Sequence, residues 1–546
     1  MAITRVTGRI VYLGLAALIL HLVLVQPNHP AALSWKTPLL FPLELPVILL
    51  ALMALGRGRF ALWLRAGLVG ALLLIAVLKT ADFAMFTALA RGFNPVADLP
   101  LIEAGLRLAT GAVGPFLTGA GVIAALIAVA LVAVALWWAT GVWASLRFGR
   151  ELTQLAAVSA ILFAGLATAE IGDTMGRWTV PASIPGTAFT ARIGVERTLM
   201  VRNTLEDLRA FSIAAAQDPF AGRAGLLDAI DRDVLIVFVE SYGRASLETP
   251  LYAETHRPTL LRSQARLRDL GLSMRSGLLR APTRGGQSWL SHATFANGLW
   301  ITNQTSYGAA LASGRKTLFH IAADAGFRTA AVMPQITLDW PEAAFMGFET
   351  VLAAKDLGYE GLPFNWVTMP DQFTFAAMDR LLQTSEGDRP LFTQMALGSS
   401  HAPWLPVPEL VPWDAIGNGE IFSPMAEAGD PPDVVWRDRD RVRDQYRQAV
   451  DYALRVVFDY AARRAADAPL IFVVGDHQAA GFVALDERPD VPIHVIGPDH
   501  LIARTADWGW SDGLLPAKEA TPRAMNDMRN LILETFSKPR PKGSSS

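Results

Sequence analysis

The chain has no cysteine in its 546 residues. That absence excludes disulfides, a thiol nucleophile and thiolate metal sites. Basic charge is not in excess either. Lys and Arg number 48 against 50 Asp and Glu, for a net charge of −2. A nucleic-acid-binding domain carries a concentrated basic face, so no nucleic acid is expected as a partner. The C-terminal two-thirds has few long apolar runs, whereas the first 170 residues are full of them. This uneven distribution accounts for an apolar content of 52% and a mean hydropathy of +0.30.

A bilayer crossing needs about 20 apolar residues. Five segments approach that length, near 8–26, 38–55, 60–86, 113–140 and 152–170, so residues 1–170 read as a transmembrane domain of five helices. The second is the shortest and contains Pro42 and Pro46. Arg5 and Arg9, Arg57 and Arg59, and Arg147 and Arg150 fall on one side of such an arrangement. The positive-inside rule makes that side, and the N-terminus, cytoplasmic. The rest of the chain then lies outside. Lys79 and Asp82 fall near the outer end of the third span, where ionisable residues are either functional or paired near the interface. The outer loop 91–112 alternates Leu and Ile with Asp, Glu and Arg, as in a helix lying on a membrane surface.

Residues 171–228 read as a linker with surface helices, and 229–536 as the catalytic domain. Residues 537–546, ending Lys-Gly-Ser-Ser-Ser, read as a disordered tail or tag remnant. Within 229–536, short apolar strands alternate with amphipathic helices, which predicts an α/β domain with a largely parallel central sheet. The predicted strands are 234–239, 328–333, 390–396, 470–474 and 491–496. A helix is predicted over 437–465.

Two of these strands end in metal-type ligands. Val234–Val239 runs into Glu240-Ser241, and Leu470–Val474 runs through Gly475 into Asp476-His477. Ligands bind beyond the carboxyl ends of strands in open α/β sheets. Glu240, Asp476 and His477 can therefore meet there as a divalent-metal set of Mn, Zn or Mg type. The stretch Thr283-Arg-Gly-Gly-Gln-Ser288-Trp-Leu-Ser-His292 places a hydroxyl after two glycines and before a helical pattern. Ser288 is either an N-cap or a nucleophile beside a metal, with Ser291 as the fallback. His401, in Gly398-Ser-Ser-His401, is a candidate proton donor. Trp340, after Asp339, is a candidate pocket wall.

In order and combination, these stretches resemble the alkaline phosphatase/sulfatase superfamily. With five preceding spans, the chain is similar to the membrane phosphoglycerol and phosphoethanolamine transferases. These include the lipoteichoic acid synthases and the periplasmic-glucan phosphoglycerol transferases. The resemblance implies that Glu240, Ser288, Asp476 and His477 hold one divalent metal ion and that Ser288 is the nucleophile. It also implies that His401 contacts the transferred phosphate and that Trp340 lines the head-group pocket. Arg284 and His292 are further substrate-binding candidates. Glu342 stands where those synthases carry an arginine. The lack of cysteine separates the chain from the disulfide-bearing lipid A enzymes. Ser288-Trp-Leu-Ser-His292 lacks the Pro and Arg of the sulfatase formylglycine motif, which argues against sulfate-ester hydrolysis.

The implied activity is transfer of a phospholipid-derived phosphoryl head group, phosphoglycerol first and phosphoethanolamine second, to a glycan or lipid acceptor. The expected setting is the bacterial inner membrane, with the catalytic domain in the periplasm. The alternatives are a membrane-anchored phosphodiesterase or phosphatase that uses water as acceptor, and a non-catalytic membrane scaffold.

Overall fold

The computed structural model describes residues 2–538 apart from 57, 90, 183, 339, 366–367 and 384–388. Arg57, Asp339 and most of the expected tail thus lie outside the described residues. The chain divides into two units, 1–207 and 208–546.

The first unit is helical: α1 (Ala2–Val25), α2 (Glu44–Leu55), α3 (Arg59–Leu89), α4 (Leu99–Val113), α5 (Pro115–Ala144) and α6 (Arg150–Thr174). The division between units falls within α7 (Phe189–Ala216). Among the described residues, four helices, α1, α3, α5 and α6, are long and apolar enough to cross a membrane. The segment expected as the second of five spans forms only the 12-residue α2. At 1.5 Å per residue α2 is about 18 Å long, short of a hydrocarbon core of about 30 Å. Pro42 disfavours helix at the residue before it, and Pro46 already occupies the first turn, so α2 does not extend backwards. Ala16, Leu20, Leu52, Leu72 and Leu136 form the core of this unit.

Lys79 and Asp82 are fully buried, not turned out to an interface. Lys79 Nζ donates to the Leu24 carbonyl (2.9 Å) and to Thr190 Oγ1 (2.7 Å). Asp82 is paired with Arg197 at 2.5 Å and accepts the Phe93 N–H at 2.8 Å. Both are thus bound by α7, but through different residues, Thr190 for Lys79 and Arg197 for Asp82. The 91–112 stretch contains α4, with Leu99, Ile102 and Leu106 exposed.

The second unit is built on a nine-stranded sheet: β1 (Val234–Val239), β2 (Ser273–Arg280), β3 (Arg328–Met333), β4 (Thr350–Ala353), β5 (Leu391–Ala396), β6 (Leu470–Gly475), β7 (Asp490–Gly497), β8 (Ser511–Asp512) and β9 (Arg523–Ala524). The order is β4-β3-β5-β1-β6-β7-β2-β8, with β9 also on β2. The run from β4 to β6 is parallel, and β7 turns antiparallel to both β6 and β2. The sheet is mixed but mostly parallel. The five strands read from apolar runs all form, and 437–465 becomes the helix Arg439–Arg463. The apolar runs of β1 and β6 are buried throughout, as expected for central strands covered on both faces. Strand β2 (Ser-Met-Arg-Ser-Gly-Leu-Leu-Arg) has no such run. It is held by register with β7 along its whole length.

Candidate active site

Strands β1 and β6 are parallel neighbours, with Val239 opposite Gly475. This register places Glu240 and Asp476-His477 side by side at the carboxyl edge. One ligand atom from each of Glu240, Asp476 and His477 lies within 4.8 Å of the others, and all three residues are buried. His477 Nε2 is 3.2 Å from Glu240 Oε1 and 3.9 Å from Asp476 Oδ1. Its Nδ1 is 3.1 Å from the Gln478 carbonyl. A carbonyl only accepts, so the Nδ1 proton is held there and Nε2 faces the carboxylates, the arrangement found in metal-binding histidines.

The electrostatics fit a divalent cation. Burial raises Asp476, and the Glu240 charge raises it further. Burial opposes a charged His477, but Asp476 and Glu240 outweigh it and push the ring up to about 9. Burial also raises Glu240, yet His477 pulls it well below the usual carboxylate range. Two buried carboxylates thus share one imidazolium. An oxygen-rich set with one nitrogen and no sulfur suits Mn, Zn or Mg.

The backbone around this cluster is fixed by specific bonds. Ser241 adopts a left-handed conformation (φ 57°) that turns the chain at the end of β1. Its N–H donates to Asp476 Oδ1 (2.8 Å), and its hydroxyl donates to Glu240 Oε1 (2.9 Å). The Ser400 hydroxyl holds the Glu240 carbonyl (2.7 Å), and the Tyr446 hydroxyl holds that of Ser241 (2.9 Å). Ser400 lies inside the stretch that singled out His401, but its own role was not legible. Tyr446 sits on an amphipathic helix with no local signal.

Ser288 is the first residue of the helix Ser288–Asn297. Gly285, Gly286 and Gln287 all have positive φ (71°, 141° and 64°), a bend that the two glycines make possible. Gln287 gives no side-chain cap, so unpaired N–H groups remain at this helix end for an anion. Ser288 Oγ donates to Glu240 Oε2 (2.9 Å) and lies 3.2 Å from His477 Nε2. The fallback, Ser291, is fully buried and lies 3.3 Å from Thr283 Oγ1.

A cavity of about 440 Å3 opens beside Ser288, and His292, Trp340 and His401 also line it. His401 Nδ1 donates to the Ala402 carbonyl (2.6 Å), leaving Nε2 for a substrate. The loop carrying His401 is anchored by Asp371 Oδ1, which accepts the Gly398 and Ser399 N–H groups at 2.8 and 2.9 Å. His292 packs on Phe238 with ring centroids 4.1 Å apart, and burial pushes its pKa down to about 3, so the ring is neutral. Arg284 does not join the other site candidates. It is ion-paired with Glu487 and donates to the Glu487 carbonyl (2.6 Å), outside the cavity wall. Sequence reasoning did not assign Gln304, Tyr307 and Gln335 to the cavity wall, nor Glu342, which the structure also places there. Gln304 and Tyr307 share the helix Gln304–Ala312, and Gln335 and Glu342 come from other segments, with no motif linking them.

A mostly parallel α/β sheet, with an acidic and imidazole cluster at its carboxyl edge and a serine heading a helix beside it, defines a phosphoryl- or sulfuryl-transfer class of fold and site. Residues 232–489 match the family model described as Sulfatase, so this segment is a sulfatase-type, alkaline phosphatase-like domain. No curated protein matches the chain. Similar solved structures include the lipoteichoic acid synthase LtaP from Listeria monocytogenes (14% identity, 61% of this chain and 78% of that one, TM-score 0.37). Another is the Streptococcus pyogenes phosphoglycerol transferase GacH in complex with sn-glycerol-1-phosphate (14%, 61% and 80%, 0.36). A third is the C-terminal periplasmic domain of EcEptC from Escherichia coli (13%, 56% and 82%, 0.38).

Proposed function

We propose that the chain is a membrane-anchored, divalent-metal-dependent transferase. It moves a phosphoryl head group from a phospholipid to a hydroxyl of a glycan or lipid acceptor. The observation that carries this reading is the Ser288 hydroxyl, 2.9 Å from Glu240 and 3.2 Å from His477 at a cavity mouth.

Glu240, Asp476, His477 and Ser288 would hold the ion. A bound Mn, Zn or Mg ion supplies positive charge to the serine oxygen and the phosphoryl oxygens. Ser288 Oγ loses its proton to water and bonds to phosphorus, and the phosphorus–oxygen bond to diacylglycerol breaks. His401, held through Nδ1, gives a proton from Nε2 to the departing diacylglycerol oxygen. In the second step the neutral ring takes the acceptor hydroxyl's proton at Nε2 as that oxygen bonds to phosphorus. Ser288 leaves and regains a proton. The uncapped helix end binds the phosphoryl oxygens throughout, and electrostatic preorganisation of this kind is commonly the largest catalytic term.

The apolar helices suit a lipid donor, because a site on the same chain works at high local lipid concentration. The proposed setting is the cytoplasmic membrane of a bacterium, with the second unit on the outer side. The topology follows if α2 and the few residues after it complete a crossing. Glu44, at the start of α2, accepts the Ala191 N–H (2.9 Å) next to the Thr190 that binds Lys79. Lys79 lies 20 residues, about 30 Å, along α3 from Arg59. With only Gly56–Gly58 between α2 and α3, the chain returns over a comparable depth. This leaves Arg5 and Arg9, Arg57 and Arg59, and Arg147 and Arg150 on one side.

The test is the full chain in lipid nanodiscs with head-group-labelled phospholipids. Wild type releases diacylglycerol and labels an added acceptor, and Ser288→Ala does neither. Undiminished diacylglycerol release by Ser288→Ala overturns the serine intermediate. Free head-group phosphate without acceptor labelling makes the protein a hydrolase.

A further inference from the structure

The cavity beside Ser288 has a second group of residues that the phosphoryl chemistry leaves unused. Tyr307 is nearly fully buried, with the Trp340 indole and the Glu342 carboxylate as polar neighbours of its hydroxyl. Trp289 lines the same cavity, and its indole N–H is fixed on Gln304 Oε1 at 3.0 Å. Three aromatic rings and the Glu342 carboxylate thus share the cavity wall, apart from Glu240 of the acidic cluster, which also lines it. No Lys or Arg lines the cavity among the described residues. Glu342 is half-buried and makes no ion pair with the described residues.

A carboxylate among aromatic rings, with no Lys or Arg in the cavity wall among the described residues, suits a cation from the ligand. Ring faces attract ammonium groups through their quadrupoles, and a half-buried carboxylate adds a charge-assisted hydrogen bond. A phosphoglycerol head group brings only a negative charge and neutral hydroxyls. The Glu342 charge repels its anion and gains no counter-ion. A zwitterionic head group places an anion at Ser288 and a cation at Glu342.

Resting on the transferase reading, we infer that the transferred group carries an ammonium: the donor is an ethanolamine-type phospholipid, recognised by Glu342 with Trp289, Tyr307 and Trp340. This reverses the order of donors suggested by sequence resemblance, in which phosphoglycerol came first.

Two measurements test it on the full chain. The first is diacylglycerol release from phosphatidylethanolamine and phosphatidylglycerol in nanodiscs of matched composition. The expected preference for phosphatidylethanolamine is about tenfold or more, as one lost charge contact is worth about 1.4 kcal/mol or more. In Glu342→Gln that preference collapses through KM, and in Glu342→Arg it reverses. The second, calorimetric binding of O-phosphoethanolamine and sn-glycerol 3-phosphate, needs no turnover. Tighter O-phosphoethanolamine binding that is lost in Glu342→Gln upholds the inference even if neither lipid is cleaved, an outcome that sinks only the transferase reading. Equal or stronger use and binding of the glycerol compounds overturns it. So does cleavage of phosphatidylglycerol that requires an amine-bearing acceptor, because the ammonium then belongs to the acceptor.

Discussion

Ser288 and Glu240, 48 residues apart in sequence, meet through a 2.9 Å hydrogen bond from the serine hydroxyl to Oε2. Glu240 therefore serves both the acidic cluster and the nucleophile. Glu240→Gln keeps the shape and removes the charge. The expected result is a loss of transfer of about 10³-fold, comparable to Ser288→Ala, with the double variant little worse than either, because groups acting as one unit are not additive. Rates of diacylglycerol release for the three variants check this. Additive losses would show that the two act independently.

Chelation should lower both activity and thermal stability. A bound ion at 100 times its Kd stabilises by about 2.7 kcal/mol, and Asp476 and Glu240 otherwise share His477, with His401 adding to it at Glu240. Differential scanning fluorimetry with and without a chelator should show a drop in midpoint that added divalent ions reverse. In Glu240→Gln the chelator should have little effect.

Gly475 is a position where only hydrogen fits. A Cβ there would lie 1.9 Å from the Tyr242 carbonyl oxygen and 3.0 Å from Val491 Cβ. The first neighbour is backbone and cannot swing aside. Gly475→Ala should lower stability by about 1–3 kcal/mol and displace Asp476, weakening divalent-ion binding. Thermal unfolding and metal-binding calorimetry read the two effects separately. Normal ion affinity would show that the strand end tolerates the shift.

Burial pushes Asp371 up from 3.8 to about 6, despite the N–H groups of Ser399 and Gly398. With the folded-state value raised, the group's contribution to stability is fully present below about pH 4 and is lost as pH rises through about 6. Asp371→Asn keeps an acceptor for the Gly398 and Ser399 N–H groups and does not titrate. Relative to that variant, wild type should gain about 2 kcal/mol between about pH 7.5 and pH 4.5. Unfolding midpoints of both chains across this range check the sign. A constant difference would remove Asp371 as the titrating group.

Arg529 is fully buried and binds Asp218 at 2.6 and 3.1 Å, with a further bond to the Lys316 carbonyl at 2.8 Å. Removing Arg529 leaves Asp218 with the longer Arg315 pair at 3.8 Å. Arg529→Met should cost about 3–5 kcal/mol, and adding Asp218→Asn should recover part of it. Thermal denaturation of the single and double variants measures the coupling. This pair lies outside the cavity wall, so a variant that remains folded should keep its donor preference.

The sequence by itself determined the apolar helices, strands β1, β3, β5, β6 and β7, and the ligand types at two strand ends. Each of these rests on local periodicity or on a short run whose burial follows from its composition. The sequence also carried the turn before Ser288, because two adjacent glycines permit a conformation that other residues resist. Tertiary structure decided that β1 and β6 are neighbours, which depends on long crossovers that no local pattern encodes. It decided that α2 is too short to span a bilayer by itself, that Arg284 turns to Glu487, and that Lys79 and Asp82 find separate partners. It also gathered Trp289, Tyr307, Trp340 and Glu342 around one cavity. Their side chains converge only when distant segments pack, so the head group they select could be read only from the folded chain.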